Sequence, residues 1–303
     1  MNIKGMFNWK NKVLILKDVL IGNLLKIRVL WDIHICKSDR LSELQDSSVV
    51  ISLTSYGERV KRSVIYTVYS LLKQSLRAER VVLWLNEDEY QYDSLPSNLK
   101  FLCSYGLEVR FCKDIRSYTK VIYSFSTFPE KNIITVDDDL YYSKDFVAAF
   151  MRAHHENPHT IITGVAKIPY LNNAGKMASY VDWQEIKKVQ SDSRYNRQTL
   201  FPLGVWGVLY PPHIFDEEVK NESVFLSLCP KADDVWLFVT GLRCHVDKQI
   251  LSDSTISYYQ IDLLRQVLLK DRLTASNRFE GENDVQLRAL LEYYNIPLNI
   301  LTF

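Results

Sequence analysis

No CxxC pair occurs in this chain, and its five cysteines (Cys36, Cys103, Cys112, Cys229 and Cys244) are odd in number and widely scattered. That excludes a disulfide framework and a zinc site of the usual spacing, and it predicts buried thiols in a reducing compartment. Long apolar runs are missing from the N-terminal stretch as well. The longest uncharged run among the first forty residues, Val19 to Leu25, is seven residues, against the ~20 needed to cross a bilayer. No small-residue cleavage site follows an apolar core, as a signal peptide requires. An excess of charge is absent too: 37 Lys and Arg against 36 Asp and Glu leave a net +1, which gives no global reason to expect nucleic-acid binding. Nor is there an internal repeat or a low-complexity segment. With 47% hydrophobic and 24% charged residues over 303 positions, the composition is that of a folded chain able to bury a substantial core.

The first forty residues stand apart, with eight Lys and Arg against three Asp interleaved with "VLILKDVLIGNLLKIRVLW". Two readings fit: a helix packed on the rest of the molecule, or a basic amphipathic helix resting on an anionic membrane surface.

From Ser47 onward the pattern alternates. "VVISL" (49–53), "RVVLWL" (80–85), "LEVRFC" (107–112) and "NIITV" (132–136) read as buried strands. Helical periodicity falls between them at 61–75 and 118–128. Strands and helices in this order predict an α/β fold of parallel βαβ units with right-handed crossovers. Such sheets bind ligands beyond the carboxyl ends of their strands. Both "TSYGER" and "DDD" are at carboxyl ends. After about residue 165 the alternation fades into a section rich in Trp and Tyr, which suits a lid or an acceptor-binding portion.

The chemistry is concentrated in "NIITVDDDLYY" (132–142). Three adjacent carboxylates repel one another at a partly desolvated strand end, and a divalent cation is the most direct compensation. Short oxygen-bearing Asp suits Mg²⁺ or Mn²⁺. On extended backbone Asp137 and Asp139 point the same way, which turns Asp138 elsewhere, toward a backbone amide or a basic side chain. The bland alternative is a solvated acidic turn before the helix "SKDFVAAFMRAH".

"FPEKNIITVDDDLYYSKDFV" resembles the DXD region of bacterial glycosyltransferases of the GT-A fold, family-2-like and of the surface-polysaccharide type. "VVISLTSYGERV", "GVLYPP" (207–212) and "CPKADDVWL" (229–237) extend the resemblance over roughly residues 49 to 240, in the expected order. It does not reach residues 1–45. It implies a Rossmann-like, mixed but mainly parallel sheet flanked by helices. It also implies a nucleotide-sugar-binding half at 46–165 and an acceptor-binding and catalytic-base half at 166–303, while the basic amphipathic N-terminal segment at 1–45 is read from its composition alone.

By the same resemblance Asp139, with Asp137, holds Mn²⁺ or Mg²⁺ against the diphosphate of a UDP-sugar. Thr54, Ser55, Tyr56, Arg59, Lys120 and Asp138 surround the nucleotide, Asp234 is the catalytic base with Asp233 its rival, and His245 is a candidate third metal ligand. A base for the acceptor hydroxyl and a metal for the leaving diphosphate are separate jobs, which two separate acidic sites match. Asp233 and Asp234 also suit the N-terminus of the helix "VWLFVTGL". Related sequences favour a second glycine where this chain has Trp206, which together with Trp183 and Tyr210 is an acceptor-side candidate.

The acceptor implied is a glycan or lipid-linked glycan. The place implied is the cytoplasm, with the 1–45 segment available to meet the inner face of the membrane. "HHENPH" (154–159) reads as solvent-facing. One rival reading is a haloacid dehalogenase-like phosphatase, with Thr163, Lys231 and Asp233–Asp234 as its later motifs; that fold, however, begins with its DxD strand. A second rival is a GT-A-like domain that binds sugars without catalysis.

Overall fold

The computed structural model describes residues 9–36, 41–187, 195–253, 256–262 and 281–301. Helix α1 (Trp9–Trp31) precedes an alternating run of β1 (Gln45–Thr54), α2 (Arg59–Arg62), α3 (Val64–Leu72), β2 (Arg77–Asn86), α4 (Ser97–Cys103), β3 (Leu107–Cys112), α5 (Thr119–Thr127) and β4 (Asn132–Thr135). Next come β5 (Leu140–Tyr142), α6 (Phe146–Glu156), β6 (Ile161–Thr163), β7 (Ala166–Ile168), β8 (Gln184–Ile186), β9 (Phe201–Pro202) and β10 (Val208–Tyr210). Helices α7 (Glu222–Leu228) and α8 (Asp233–Arg243), strands β11 (Lys248–Ile250) and β12 (Tyr258–Gln260), and helix α9 (Glu282–Tyr293) follow. The single helix expected over 61–75 is two. Ser63 separates α2 from α3, and its hydroxyl reaches back to the Arg59 carbonyl oxygen (3.4 Å), a local bond that competes with regular helix.

Seven strands form the central sheet in the order β11-β6-β10-β4-β1-β2-β3. β1 lies parallel between β4 and β2, and β3 continues parallel beyond β2. β10 runs antiparallel to both β4 and β6, and β11 rejoins β6 in parallel. This is the mixed, mainly parallel sheet flanked by helices that the sequence predicts. Strands from both halves of the chain share it. The regularity lost after residue 165 is explained by length: β6, β10 and β11 have three residues each, too few to show a period. Smaller sheets β8-β7-β9 and β12-β5 sit beside the large one.

Alternation along the long strands sets the layers. Val49, Ile51 and Leu53 of β1, with Val81, Leu83 and Leu85 of β2, face the side packed by α3, α4 and α6. Val50, Val82, Trp84 and Ile133 face the other side, where Tyr123 and Phe125 of α5 cover them. Burying both faces is why these strands read as continuous apolar runs rather than alternating ones. A second apolar cluster joins α5, α7, α8 and α9 around the fully buried Trp236, Phe238 and Phe201. Helix α1 runs on into a π-helical turn (Asp32–Cys36), and the two together, treated below as α1, anchor one face through buried Val29 and Ile33.

Gly207, entering β10, has φ +89°, and a Cβ there would stand 2.8 Å from Phe146 Cζ. We expect Gly207→Ala to lower unfolding free energy by about 2–4 kcal/mol, backbone strain and overpacking acting together. Gly175→Ala, also at positive φ (+69°) but with nothing within 4 Å, should cost about 1–2 kcal/mol. Equal losses for the two variants in urea denaturation would exclude the steric account.

Candidate active site

Burial decides how the acidic triplet is arranged at the end of β4. Asp138 is turned inward, with 5% of its side chain exposed, whereas Asp137 keeps 32% and Asp139 16%. Ser55 donates its hydroxyl to Asp138 at 2.5 Å, and Arg59 donates from Nη1 at 2.7 Å. Arg59 Nη2 also lies 3.4 Å from Asp139. The loop after β1 is thereby clamped to the end of β4, its neighbour in the sheet. The clamp has an electrostatic cost. Burial pushes the Asp138 carboxyl above the ordinary range, against the pull of Arg59 and Ser55, and Asp137 pushes the same way. Two further bonds hold the triplet's backbone: the Asp137 N–H donates to the Tyr142 hydroxyl (3.0 Å), and the Ile261 N–H donates to the Asp139 carbonyl (3.0 Å).

Lys120, buried near the start of α5, donates to Asp137 at 2.8 Å. Its own carbonyl accepts from Ser52 of β1. Ser52 in turn accepts from Trp84 Nε1 (3.0 Å) and from the Ser124 hydroxyl (2.7 Å). Burial alone would lower the lysine's pKa, but Asp137, Asp233 and Asp234 outweigh it and hold the ammonium charged.

The second acidic pair opens α8. Asp234 accepts from the Gly204 N–H with both carboxylate oxygens, at 3.1 and 3.2 Å. It is half-buried, partly reached by solvent yet packed round by protein atoms. Burial, then the charge of Asp233, push it up to about 8, although Lys120 and the Gly204 N–H pull it down. A methyl group on Gly204 would stand 3.1 Å from Asp234 Oδ1 and 3.4 Å from Lys120 Nζ. The two acidic motifs, expected as separate sites, therefore meet across one lysine. The cation expected to offset the triplet has counterparts built into the chain, Arg59 and Lys120.

The remaining candidates are dispersed in different ways. Tyr56 is 49% exposed, with the Arg59 guanidinium 5.4 Å from its ring centre. Thr54 donates its hydroxyl to the Trp84 carbonyl (3.0 Å), fixing the loop where it leaves β1. His245 is not brought to the cluster. It is exposed beyond the far end of α8 with φ +55°, roughly 15 Å along the helix from the aspartates at 1.5 Å per residue. Its conformation closes the helix, since the Val246 N–H donates back to the Gly241 carbonyl at 2.8 Å. Trp183 and Tyr210 are buried and serve the second apolar cluster. Trp206 is half-buried, stacked on Tyr258 with ring centres 4.8 Å apart, and the Lys187 ammonium lies over it. His155 and His159 face solvent, while His154 is half-buried.

Gly204 and the Ser52–Trp84–Ser124 lattice went unrecognised in the sequence. Nothing in "FPLGVWG" distinguishes a glycine that donates to a carboxylate from one that merely turns the chain.

Among the described residues, no group of three or more His, Cys, Asp or Glu side chains is arranged as a metal cage. Asp137 and Asp139 nonetheless fit Mg²⁺ or Mn²⁺. Both are hard oxygen donors that reach solvent, and such ions bind through one or two carboxylates while substrate phosphates and water complete the shell.

No protein-family model matches this sequence, nor does any curated protein sequence. Solved structures do resemble it in shape. A CMP:2-keto-3-deoxy-manno-octonic acid synthetase complexed with CTP aligns with 76% of this chain and 100% of its own, at 9% identity and a TM-score of 0.44. TarS 1-349 from S. aureus, in complex with UDP, aligns with 84% of this chain and 72% of its own, at 16% identity and 0.42. The inositol-1-phosphate CTP transferase of T. maritima aligns with 81% and 97%, at 14% identity and 0.42.

Arg59→Met leaves the Asp138 carboxylate buried without its cation, and we expect it to cost about 3–5 kcal/mol at pH 7. The loss should shrink as pH falls, because protonation removes the buried charge. Asp138→Asn in the same background should recover part of it. Urea unfolding at two pH values measures both; a loss independent of pH would show that the clamp is not electrostatic.

Proposed function

We propose that the chain is a metal-dependent glycosyltransferase of the GT-A type. It moves a sugar, with inversion, from a nucleotide-sugar donor such as a UDP-sugar to a hydroxyl of a glycan or lipid-linked glycan in bacterial surface-polysaccharide synthesis. One observation carries the reading: the acidic triplet and Asp234 meet across Lys120 beyond the carboxyl edge of the parallel strands, beside a loop that offers Tyr56 and Arg59. Residues 46–165 would bind the donor and residues 166–303 the acceptor.

In this reading Asp139 and Asp137 hold the cation. When bound, that cation stabilises the charge growing on the leaving diphosphate. Tyr56 presents an exposed ring to a nucleobase, and Arg59 adds positive charge near the phosphates. Asp234 takes the proton of the attacking hydroxyl. Its two contacts with the Gly204 N–H set its orientation, and a carboxyl raised to about 8 is a stronger base than an ordinary aspartate. Lys120 bonds Asp137 and sets its positive charge beside Asp234.

The phosphatase alternative needs Lys231 and Thr163 at the triplet. Lys231 is instead exposed and paired with Glu282 at 2.6 Å, and Thr163 donates to the Val165 carbonyl at 2.8 Å.

Purified protein with Mn²⁺ and a panel of sugar nucleotides should release nucleoside diphosphate, not pyrophosphate, in the presence of acceptor. Asp139→Ala should abolish transfer together with metal-dependent thermal stabilisation by a nucleoside diphosphate. Asp234→Asn should reduce transfer by about 10²–10⁴-fold and leave that stabilisation intact; near-normal turnover would disprove the base assignment. Because the base must first lose its proton, the rate should rise with pH through about 8 and level off above it.

A further inference from the structure

Helix α1 is apolar on two opposite faces, and only one of them is used by the fold. Gly22, Lys26, Val29 and Ile33 turn inward. Val29 and Ile33 are buried, Lys26 pairs with Asp262, and a Cβ on Gly22 would stand 2.6 Å from the Gln260 carbonyl oxygen. The other face carries Leu16 (66% exposed), Leu20, Leu24, Ile27, Trp31 and Ile35 (59%). Their spacings of four, four, three, four and four residues align them in one stripe, which at about 100° per residue lies opposite the anchoring positions. A contiguous run of exposed large side chains is not the scattered exposure usual on protein surfaces.

What covers this stripe is indicated by charge. Apart from the inward, paired Lys26, residues 9–36 hold Lys10, Lys12, Lys17 and Arg28 against Asp18 and Asp32. Asp32 is engaged by the Tyr69 hydroxyl at 2.6 Å. Arg28 (side chain 70% exposed) and Lys17 border the stripe. No helix among the described residues is long and apolar enough to cross a membrane. An apolar stripe with a tryptophan near its end and cations at its border suits the plane of an anionic lipid interface.

The same helix forms part of a groove of about 620 Å³, lined by Asp18 together with Trp206, Lys187, Tyr258 and Tyr259. That groove adjoins the acidic cluster by two routes. Trp206 is two residues from Gly204, and Tyr258 packs edge-on against Tyr142, whose hydroxyl accepts from the Asp137 N–H.

We propose that the outward face of α1 seats the protein on an anionic lipid surface, with the groove that Asp18 lines on another side of the same helix. Combined with the transferase reading, on which this last step rests, the acceptor is one presented from a lipid anchor.

The test uses the full chain and vesicles of phosphatidylglycerol mixed with phosphatidylethanolamine, against vesicles of phosphatidylcholine alone. The wild type should pellet with the anionic vesicles and lose binding as salt is raised. The triple variant Leu20→Glu, Leu24→Glu, Ile27→Glu should bind roughly tenfold or more weakly, with unchanged circular dichroism. Thermal stabilisation by Mn²⁺ and a nucleoside diphosphate is read in both proteins. If it fails while vesicle binding holds, the transferase reading falls and the docking stands. Wild type remaining in the supernatant, or a triple variant that pellets equally, overturns the docking. A wild-type dimer that the triple variant dissociates, with neither form pelleting, would assign the stripe to a second copy and also overturn it.

Discussion

A buried ammonium among carboxylates is the interaction on which the rest of this molecule turns. Lys120 is bonded to Asp137 and feels the field of Asp233 and Asp234. Remove the lysine and the acidic groups lose the charge that offsets them, pushing Asp234 still further toward its protonated form; remove the acids and a buried cation is stranded. Neither half of the chain can place its acidic groups independently of the other. The Ser52 hydroxyl, itself held by Trp84 and Ser124, donates to the Lys120 carbonyl and so ties the start of α5 to β1, which sets where the ammonium points.

The clamp of Arg59 and Ser55 on Asp138 works on the opposite side of the triplet. It spends one carboxylate on structure and leaves Asp137 and Asp139 toward the solvent. The extended backbone expected of the triplet gives way to a turn after β4, and that turn, with the Arg59–Ser55 clamp, leaves one carboxylate inward and two toward solvent. Without the inward carboxylate the loop after β1, which carries the exposed Tyr56, would lose its bonds from Ser55 and Arg59 to Asp138.

Helix α1 shows the same economy at larger scale. One face closes the core through Val29 and Ile33, while the other presents a ladder of aliphatic side chains that no described part of the chain covers. The packed helix weighed in the sequence is found on one face of this element, and the opposite face stays exposed.

The α/β class, the four parallel strands of the first half and the acidic triplet were legible in the sequence because each depends on local order. Long buried strands read as apolar runs, helices repeat at their own period, and a desolvated charge cluster is conspicuous wherever it occurs. The three-residue strands β6, β10 and β11 were not legible, being too short to carry a period. The partners were not legible either. That Arg59 reaches Asp138, that Gly204 donates to Asp234, and that His245 ends a helix a turn or more beyond any use at the triplet are facts of distance in space. Side chains separated by thirty to over a hundred positions meet only once the sheet order is set, and the strength of a charge pair falls off with that distance, not with separation along the chain.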